Sequence, residues 1–497
     1  MKGLVFLGLT ALALATAPLA AQEPQDTHPP AGVVVREEAG ARLLEANVPG
    51  LLLDWAALDR GDGTREIYIL ATTEDDPTER RSLYRVDLEP PRLVVLAADL
   101  AKEFDRLAAI DAQGEVGPEL LLGRPGRIFR AELAGSAETP ETLEVTRVAS
   151  APGLDLGSDL PVRGGPKRPG VLNLPSAGRV RQFTRDGLGD WQLESRTPLV
   201  TRASRHRHGL RLTTPKSTLM EVDDGMVLAV GPEAVGTYRL RSLLKPATEG
   251  TTAAGEVWSR LPGSERVQWS WFHVLDGRPV LLVTTNSADK LGVLERQQLR
   301  LFSLYGDRTQ AGVGPWLTAK TTSRRWQQVE PFVADIDGDG DDDLVVAQID
   351  GLGSGKAQFE AFVNTGRRSF EAKSRTSTLE RESATWHFGS DLTGDGLADL
   401  VLLTEGELEV YAMLPAGSRR LIDRRPVWAF TGADIARAEH SVTVGTGGVA
   451  VSDDRPSRTG RPEVLDLDGD GRGELILAEN PEWGFGRLRV VFLPPVP

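Results

Sequence analysis

The sequence predicts an all-β fold, a single β-propeller made of four-stranded antiparallel blades. An acidic, glycine-rich loop followed by an apolar run recurs along most of the chain. Between these loops, apolar and polar residues alternate as they do in half-buried strands, and long segments of helical period are scarce. A repeat of about 50 residues that holds about four strands is typical of one propeller blade.

Eight copies of the loop-and-strand unit can be traced. The residues that open the second strand of each unit are Ile67, Leu120, Val171, Met226, Val280, Leu344, Leu400 and Leu475. The loops near 335, 391 and 466 are strongly acidic. Those near 59, 111, 159, 223 and 276 contain fewer acidic residues or are shortened, and they are expected to bind no ion. We prefer eight blades; seven is the alternative, because the units at 223 and 276 are faint.

The two ends of the chain are expected to meet in one blade. The last unit contains only about three strand-like segments, and the segment 32–48 before the first unit is strand-like as well. This N-terminal segment is expected to supply the missing outer strand of the last blade. Such a closure removes the open edge that a ring would otherwise leave.

The N-terminus has the features of a secretory signal peptide. Met1 and Lys2 make a short positive start, residues 4–14 are apolar, and residues 16–21 are small except for Pro18 and Leu19. The predicted organisation is a signal peptide at 1–21 cleaved after about Ala21, a flexible leader at 22–32 and the propeller at 33–497. We expect a secreted protein, extracellular or periplasmic, in a compartment where calcium is plentiful.

Composition excludes several functional classes. The 497 residues include 57 Lys+Arg, 71 Asp+Glu and no cysteine, and the formal net charge is −14. A basic nucleic-acid binder is not expected, because phosphate neutralisation needs a Lys/Arg excess. Disulfides, Cys-ligated zinc and a thiol nucleophile are excluded. After the signal peptide, no stretch reaches the roughly 18 apolar residues of a membrane span.

The first acidic loop has the pattern of a calcium site. With Asp335 as position 1, carboxylates fall at positions 1, 3, 5 and 9, and Asp341 at position 7 is placed to offer its backbone carbonyl. Calcium takes six to eight oxygen ligands, and glycines permit the sharp turn that brings them to one centre. The predicted ligands of this loop are Asp335, Asp337, Asp339, Asp341 and Asp343.

Two further loops share this spacing, so about three Ca²⁺ sites are predicted. The second contains Asp391, Thr393, Asp395, Leu397 and Asp399, and the third contains Asp466, Asp468, Asp470, Arg472 and Glu474. Leu397 and Arg472 would act through their backbone carbonyls. An EF-hand would need a glutamate at position 12 and flanking helices, but Val346, Leu402 and Leu477 stand there inside β-type runs. The alternative, that these are merely solvated acidic turns, is less favoured because three loops share one spacing.

These segments resemble FG-GAP repeats, also called VCBS repeats, which occur in the propeller of integrin α chains and in secreted bacterial proteins. The resemblance lies in residues 332–346, 387–402 and 464–477, and the pair Phe388-Gly389 matches the Phe-Gly of the repeat. It implies a β-propeller with calcium in loops that join the first and second strands of certain blades. In that family the ions lie on one face and ligands usually bind on the other.

Other groups of residues have weaker functional interpretations. Trp55, the segment 269–273 and the segment 385–388 should lie on innermost strands, where aromatic and histidine side chains could stack on a sugar or simply pack between blades. His206 and His208 lie in a basic run that is better explained as a solvated loop than as a metal site. The tripeptide Arg60-Gly61-Asp62 is uninformative by itself, because chance readily produces it.

The expected function is a calcium-stabilised binding or adhesion module, without catalysis of its own, for a protein or glycan partner. We expect a monomer. The alternative is a propeller-type polysaccharide lyase or hydrolase with its site at the channel mouth. Convergence of His273 and His387 with a basic residue and a carboxylate would favour that enzyme, and a third possibility is a structural part of a larger envelope assembly.

Overall fold

The structure is a computed structural model whose described residues form β-strands and their connections. It describes residues 31–73, 80–110, 118–134, 142–150, the strands between 162 and 322 given below, 329–349, 356–365, 370, 375–380, 385–404, 406–433, 442–445, 448–451, 462–482 and 485–495. Residues 1–30, which include the expected signal peptide and most of the leader, lie outside this description.

Ten strands lie in the N-terminal part of the chain. They are β1 (Gly32–Glu38), β2 (Ala41–Pro49), β3 (Leu52–Asp59), β4 (Arg65–Thr72), β5 (Arg80–Leu88), β6 (Pro91–Ala101), β7 (Arg106–Ile110), β8 (Glu119–Arg124), β9 (Arg127–Ala134) and β10 (Thr142–Ser150).

Twelve strands follow in the central part. They are β11 (Val162–Arg163), β12 (Val171–Ser176), β13 (Arg179–Arg185), β14 (Trp191–Pro198), β15 (Thr218–Val222), β16 (Met226–Ala234), β17 (Thr237–Ser242), β18 (Val257–Arg260), β19 (Arg266–Leu275), β20 (Arg278–Ala288), β21 (Glu295–Ser303) and β22 (Leu317–Thr322).

Thirteen strands complete the chain. They are β23 (Val329–Ala334), β24 (Asp343–Ile349), β25 (Lys356–Phe362), β26 (Arg375–Glu380), β27 (Thr385–Ser390), β28 (Asp399–Thr404), β29 (Gly406–Tyr411), β30 (Trp428–Ala433), β31 (Val442–Gly445), β32 (Gly448–Val451), β33 (Glu463–Leu465), β34 (Glu474–Glu482) and β35 (Phe485–Phe492).

The strands assemble into successive antiparallel sheets. Seven sheets of the described chain contain four consecutive strands each, from β3–β6 through β27–β30, and a further sheet has the order β1-β2-β35-β34-β33. The remaining hairpin, β31 with β32, forms a two-stranded sheet. The second strands of the four- and five-stranded sheets begin at 65, 119, 171, 226, 278, 343, 399 and 474, each within two residues of the predicted position. The prediction of repeated four-stranded units is therefore confirmed.

Contacts between sheets follow the arrangement of a β-propeller. The first strand of one sheet contacts the first strand of the next for β3 with β7, β15 with β19, β19 with β23, β23 with β27, and β27 with β33, and β3 also contacts β34. Apolar clusters fill the spaces between neighbouring sheets: Phe359 packs edge-on against Trp386 at a centroid distance of 5.8 Å. The described part of the chain contains no helix with the length and apolarity of a membrane span.

The N- and C-terminal strands share one sheet. Strand β2 pairs antiparallel with β35 over residues 42–49, so the N-terminal segment does supply a strand beyond the last three, as expected. The segment 32–48 forms two strands rather than one, however, and β1 is the outermost strand of the sheet. The extra strand arises because Ala39 and Gly40 both have positive φ, of 51° and 83°, the geometry of a two-residue hairpin turn.

A buried charge cluster spans this closing sheet. Arg489 on β35 donates from Nε to Oε1 of Glu45 on β2 at 2.7 Å, and from Nη1 to the carboxylate of Glu479 on β34 at 3.0 Å. All three side chains are buried, and Arg36 on β1 donates to the same oxygen of Glu45 at 2.7 Å. One guanidinium therefore links both chain ends inside a single sheet.

Removing this guanidinium should weaken the closure. We expect Arg489→Met to lower the free energy of unfolding by about 3–5 kcal/mol, because Glu479 and Glu45 would lose the buried guanidinium that they share and Glu45 would keep only the half-exposed Arg36. Arg80→Met is the matched control, since Arg80 pairs with Asp99 in an exposed ion pair worth at most about 1 kcal/mol. Urea unfolding curves measure both. A loss for Arg489→Met no larger than that of the control would contradict this account of the closure.

Candidate functional site: a row of acidic loops

The first acidic loop is a tight turn organised around Asp335. It joins β23 to β24, whose last paired residues are Ala334 and Asp343. Asp335 accepts the backbone N–H of Gly338 on Oδ1 at 2.8 Å and that of Gly340 on Oδ2 at 2.9 Å. The two glycines have φ of 81° and 88°, a region that residues with a Cβ adopt with difficulty. The acidic and glycine residues of the motif thus have distinct roles in one turn.

The second and third loops repeat the same hydrogen bonds. Asp391 accepts the N–H groups of Gly394 and Gly396 at 2.6 and 2.8 Å. Asp466 accepts those of Gly469 and Gly471 at 2.7 and 3.0 Å. In each loop the carboxylate at position 5 also accepts the N–H of position 7; these pairs are Asp339 with Asp341, Asp395 with Leu397, and Asp470 with Arg472.

The acid at position 9 is buried where the second strand begins. Asp343 accepts the N–H of Ile336 at 3.0 Å, and Glu474 accepts that of Leu467 at 2.6 Å. Asp399 accepts two such groups, those of Leu392 and Thr393, both at 2.9 Å. Each of these acids holds the start of its own loop against the strand that follows.

Burial raises the pKa of all three acids at position 9. Removal from water disfavours the charged carboxylate, and neighbouring aspartates of the same loop add repulsion. The pKa rises to about 7 for Asp343, about 6 for Asp399 and about 7 for Glu474. The backbone hydrogen bonds oppose this shift without cancelling it. A nearby cation would favour the charged form of each group.

Carboxylate oxygens converge in two of the loops. Ligand atoms of Asp335, Asp337 and Asp339 lie within 4.8 Å of one another, and so do those of Asp466, Asp468 and Glu474. Asp470 is engaged by the side chain of its neighbour Arg472, whose Nε lies 2.9 Å from Oδ2. Oxygen atoms at such spacing match the ligands that calcium prefers.

The second loop contains two buried oxygen atoms without a hydrogen-bond partner. They are Oδ1 of Asp399 and Oγ1 of Thr393, at positions 9 and 3 of the predicted site. Asp399 is 0% exposed and Thr393 1% exposed, so water does not satisfy either group from outside. A buried polar atom without a partner is costly, and a cation bound in this loop would satisfy both oxygens. The residues present therefore fit a calcium ion.

The acidic loops of neighbouring sheets contact one another. The N–H of Gly473 in the third loop donates to the carbonyl of Asp391 in the second loop at 2.8 Å. A Cβ on Gly338 in the first loop would lie 3.7 Å from Leu397 in the second. The three loops therefore form a row in which each loop contacts the next.

Two residues that the motif did not identify hold the first loop in place. The backbone N–H of Asn364 donates to Oδ1 of Asp343 at 2.6 Å, and its side-chain amide donates to the carbonyl of Asp342 at 3.0 Å. The guanidinium of Arg375 donates to the carbonyls of Ile336 at 3.3 Å and Arg420 at 3.1 Å. The sequence Asn364-Thr365-Gly366 is typical of a turn but does not by itself place Asn364 against the first loop, and nothing in the repeat pointed to Arg375.

The aromatic residues of the innermost strands serve in packing. Trp55 is 1% exposed and Trp386 is 5% exposed, and both belong to apolar clusters between sheets. His387 lies beside Trp386, its Nε2 is 3.2 Å from Oγ of Ser390, and burial lowers its pKa. For the two tryptophans, packing between sheets is confirmed. The side chains of His206, His208 and His273 lie outside the described residues.

Comparisons with known proteins find similar folds only at low similarity. No protein-family model and no curated protein sequence matches the chain. Among solved structures, Sqt1 of Chaetomium thermophilum has a TM-score of 0.47 at 12% identity, covering 90% of this chain and 95% of that one. The Dos1 propeller has a TM-score of 0.41 at 9% identity, covering 89% and 93%. A 6-phosphogluconolactonase-like protein of Bacteroides fragilis has a TM-score of 0.38 at 10% identity, covering 75% and 98%. At these scores the matches assign no family and no function.

The raised pKa values predict how calcium and pH act together. Without calcium, Asp343, Asp399 and Glu474 hold protons more tightly in the folded chain than in the unfolded chain, so stability should fall as pH rises from about 4 to about 7. Calcium needs the charged carboxylates, so its stabilising effect should be small at pH 5 and large at pH 8. Melting temperatures in excess calcium and in excess chelator, compared at both values, measure this. A calcium effect of equal size at both pH values would contradict the assignment.

Asp399→Asn should have opposite effects with and without calcium. In excess chelator at pH 8 we expect a higher melting temperature than in the wild type, because a buried charge is removed. In excess calcium we expect a lower one, because a ligand of the second loop is lost. Asp423→Asn is the control, since Asp423 is exposed and lies outside the three loops. A shift of the same sign in both conditions would rule out the proposed role of Asp399.

Proposed function

We propose that this protein is a secreted, calcium-stabilised β-propeller that acts as a binding module for a protein or glycan ligand, without catalysis of its own. The observation that carries the calcium part is the pair of unpartnered buried oxygens of Asp399 and Thr393 inside a loop whose geometry recurs in two others. The Thr393 hydroxyl lies close enough to lower the pKa of Asp399, and a cation would give both buried oxygens a stronger partner than a solvated acidic turn requires.

Calcium would contribute positive charge where the fold concentrates carboxylates. Removing residues 1–21 removes the charge of Lys2, which takes the net charge from −14 to −15, and three ions would change −15 to −9. Asp335, Asp391 and Asp466 already orient their carboxylates through two glycine N–H groups each. Because these carboxylates are already ordered, binding an ion would lose little further conformational entropy.

The sheet arrangement supports eight blades of the FG-GAP or VCBS type. Seven four-stranded sheets and the closing five-stranded sheet of the described chain would be the blades, with β1 as an extra outer strand. All three acidic loops join the first strand of a sheet to its second strand, the position that the resemblance implies for calcium. The ligand would then bind on the face opposite these loops.

Binding is favoured over catalysis by the roles that the described candidate residues already have. Trp55 and Trp386 are buried between sheets, and His387 lies beside the hydroxyl of Ser390. These residues therefore stabilise the fold. Secretion, with cleavage after about Ala21, rests on the N-terminal sequence and suits loops that need a calcium-rich compartment.

Ligand binding can be tested directly with the chain from residue 22 to 497. We expect it to bind a subset of a glycan array, or a protein captured from the producing organism's surface fraction, in millimolar calcium, and to lose that binding in excess chelator. The Asp399→Asn variant is the matched control, because it should need more calcium for the same binding. Depolymerisation of an array polysaccharide would instead support a lyase or hydrolase, and binding that ignores chelator would contradict the calcium dependence.

A further inference from the structure

A fourth loop has the same plan as the three acidic loops. It joins β3 to β4, and Glu66 stands opposite Leu58 in the strand pairing, as Asp343 stands opposite Ala334 in the first loop. Glu66 is therefore the residue at position 9. Gly61 and Gly63 have φ of 85° and 91°, close to the values of Gly338 and Gly340.

The hydrogen bonds of this fourth loop identify two more positions. Asp59 accepts the N–H of the first glycine, Gly61, at 2.6 Å, as Asp335, Asp391 and Asp466 do in their loops. Asp62 accepts the N–H of Thr64 at 2.9 Å, as the acids at position 5 do. Asp59, Asp62 and Glu66 thus take positions 1, 5 and 9, although the loop is one residue shorter.

Position 3 carries a positive charge in this loop. Counting back from Glu66, the residue at position 3 is Arg60, where the other loops have Asp337, Thr393 and Asp468. The guanidinium of Arg60 pairs with Oε1 of Glu66. The other oxygen of Glu66 accepts the hydroxyl of Tyr68 at 2.7 Å. Both oxygens of this acid are therefore satisfied within the chain, in contrast to Oδ1 of Asp399.

We infer that Arg60 supplies to the fourth loop the positive charge that calcium supplies to the other three, so this loop keeps its shape without a metal ion. The comparison with calcium rests on the proposed function, whereas the ion pair between Arg60 and Glu66 does not depend on it. It also accounts for the Arg60-Gly61-Asp62 tripeptide: its arginine is engaged by Glu66 and its aspartate by Thr64, so both charged groups have structural partners.

The fourth loop provides one metal-independent end to the row. The N–H of Arg65 donates to the carbonyl of Leu467 in the third loop at 2.9 Å. A Cβ on Gly469 would lie 3.1 Å from the carbonyl oxygen of Gly63, so the two loops are in close contact. The third loop, which belongs to the sheet where the chain ends meet, is thus supported by a neighbour that needs no calcium.

Two substitutions of Arg60 separate the loss of its positive charge from the gain of a calcium ligand. Arg60→Asp places a carboxylate at position 3, which gives the fourth loop acids at positions 1, 3, 5 and 9 as in the first loop. We expect this variant to bind one more calcium ion per chain than the wild type in equilibrium dialysis with radiolabelled calcium. Arg60→Gln removes the charge without adding a ligand, and we expect it to bind the same number as the wild type. An Arg60→Asp variant that gains no ion over a calcium-binding wild type would overturn the inference.

Thermal melts in excess chelator test the ion pair whether or not the other loops bind calcium. We expect Arg60→Gln to lower the melting temperature equally in calcium and in chelator, and Glu66→Gln in the same chain to recover part of that loss. Arg80→Gln, in the exposed pair with Asp99, is the control. Additive effects of the two substitutions would overturn the inference, whereas a wild type that binds no calcium would overturn the proposed function and leave this ion-pair result to stand by itself.

Discussion

Several carboxylates share each nine-residue loop, and their mutual repulsion must be balanced for the fold to hold its shape. The loop backbone does part of this: two glycine N–H groups hold the acid at position 1, and the N–H at position 2 holds the acid at position 9. Burial raises the pKa of Asp343 to about 7 in spite of these neutral donors, and repulsion from Asp337 and Asp339 adds to the shift. In the fourth loop the guanidinium of Arg60 pairs with Glu66, and in the other three loops the proposed calcium ions would supply the positive charge.

The contacts between loops extend this local balance across the sheets. Gly473 connects the third loop to Asp391, and Arg65 connects the fourth loop to Leu467. Arg375 connects the first loop to the segment that carries Arg420 on the neighbouring sheet. An ion bound in one loop, as proposed, would therefore affect the packing of adjacent sheets as well as its own turn.

A second charge balance operates where the chain closes. Arg489 lies between Glu45 and Glu479 on strands from opposite ends of the chain. Apolar contacts fill the spaces between sheets but are non-directional. The buried guanidinium instead donates hydrogen bonds in fixed directions to its two carboxylates. In a chain without cysteine, this buried ion pair links strands that no disulfide can join.

The repeat, the four-stranded units and the residues of the acidic loops could be predicted from the sequence, because strand alternation, turn glycines and the interval between acids are all local features of the chain. The folded structure adds that residues 32–48 form two strands, that Asp399 buries an oxygen, that Arg60 pairs with Glu66 inside its loop, and that Asn364 and Arg375 hold the first loop. The partners of these residues lie on other strands or in another sheet. For Arg60, the loop is one residue shorter than the others, so spacing alone does not show that its position corresponds to that of Asp337. Spacing specifies a turn, but burial and charge pairing between distant residues arise only when the sheets come together.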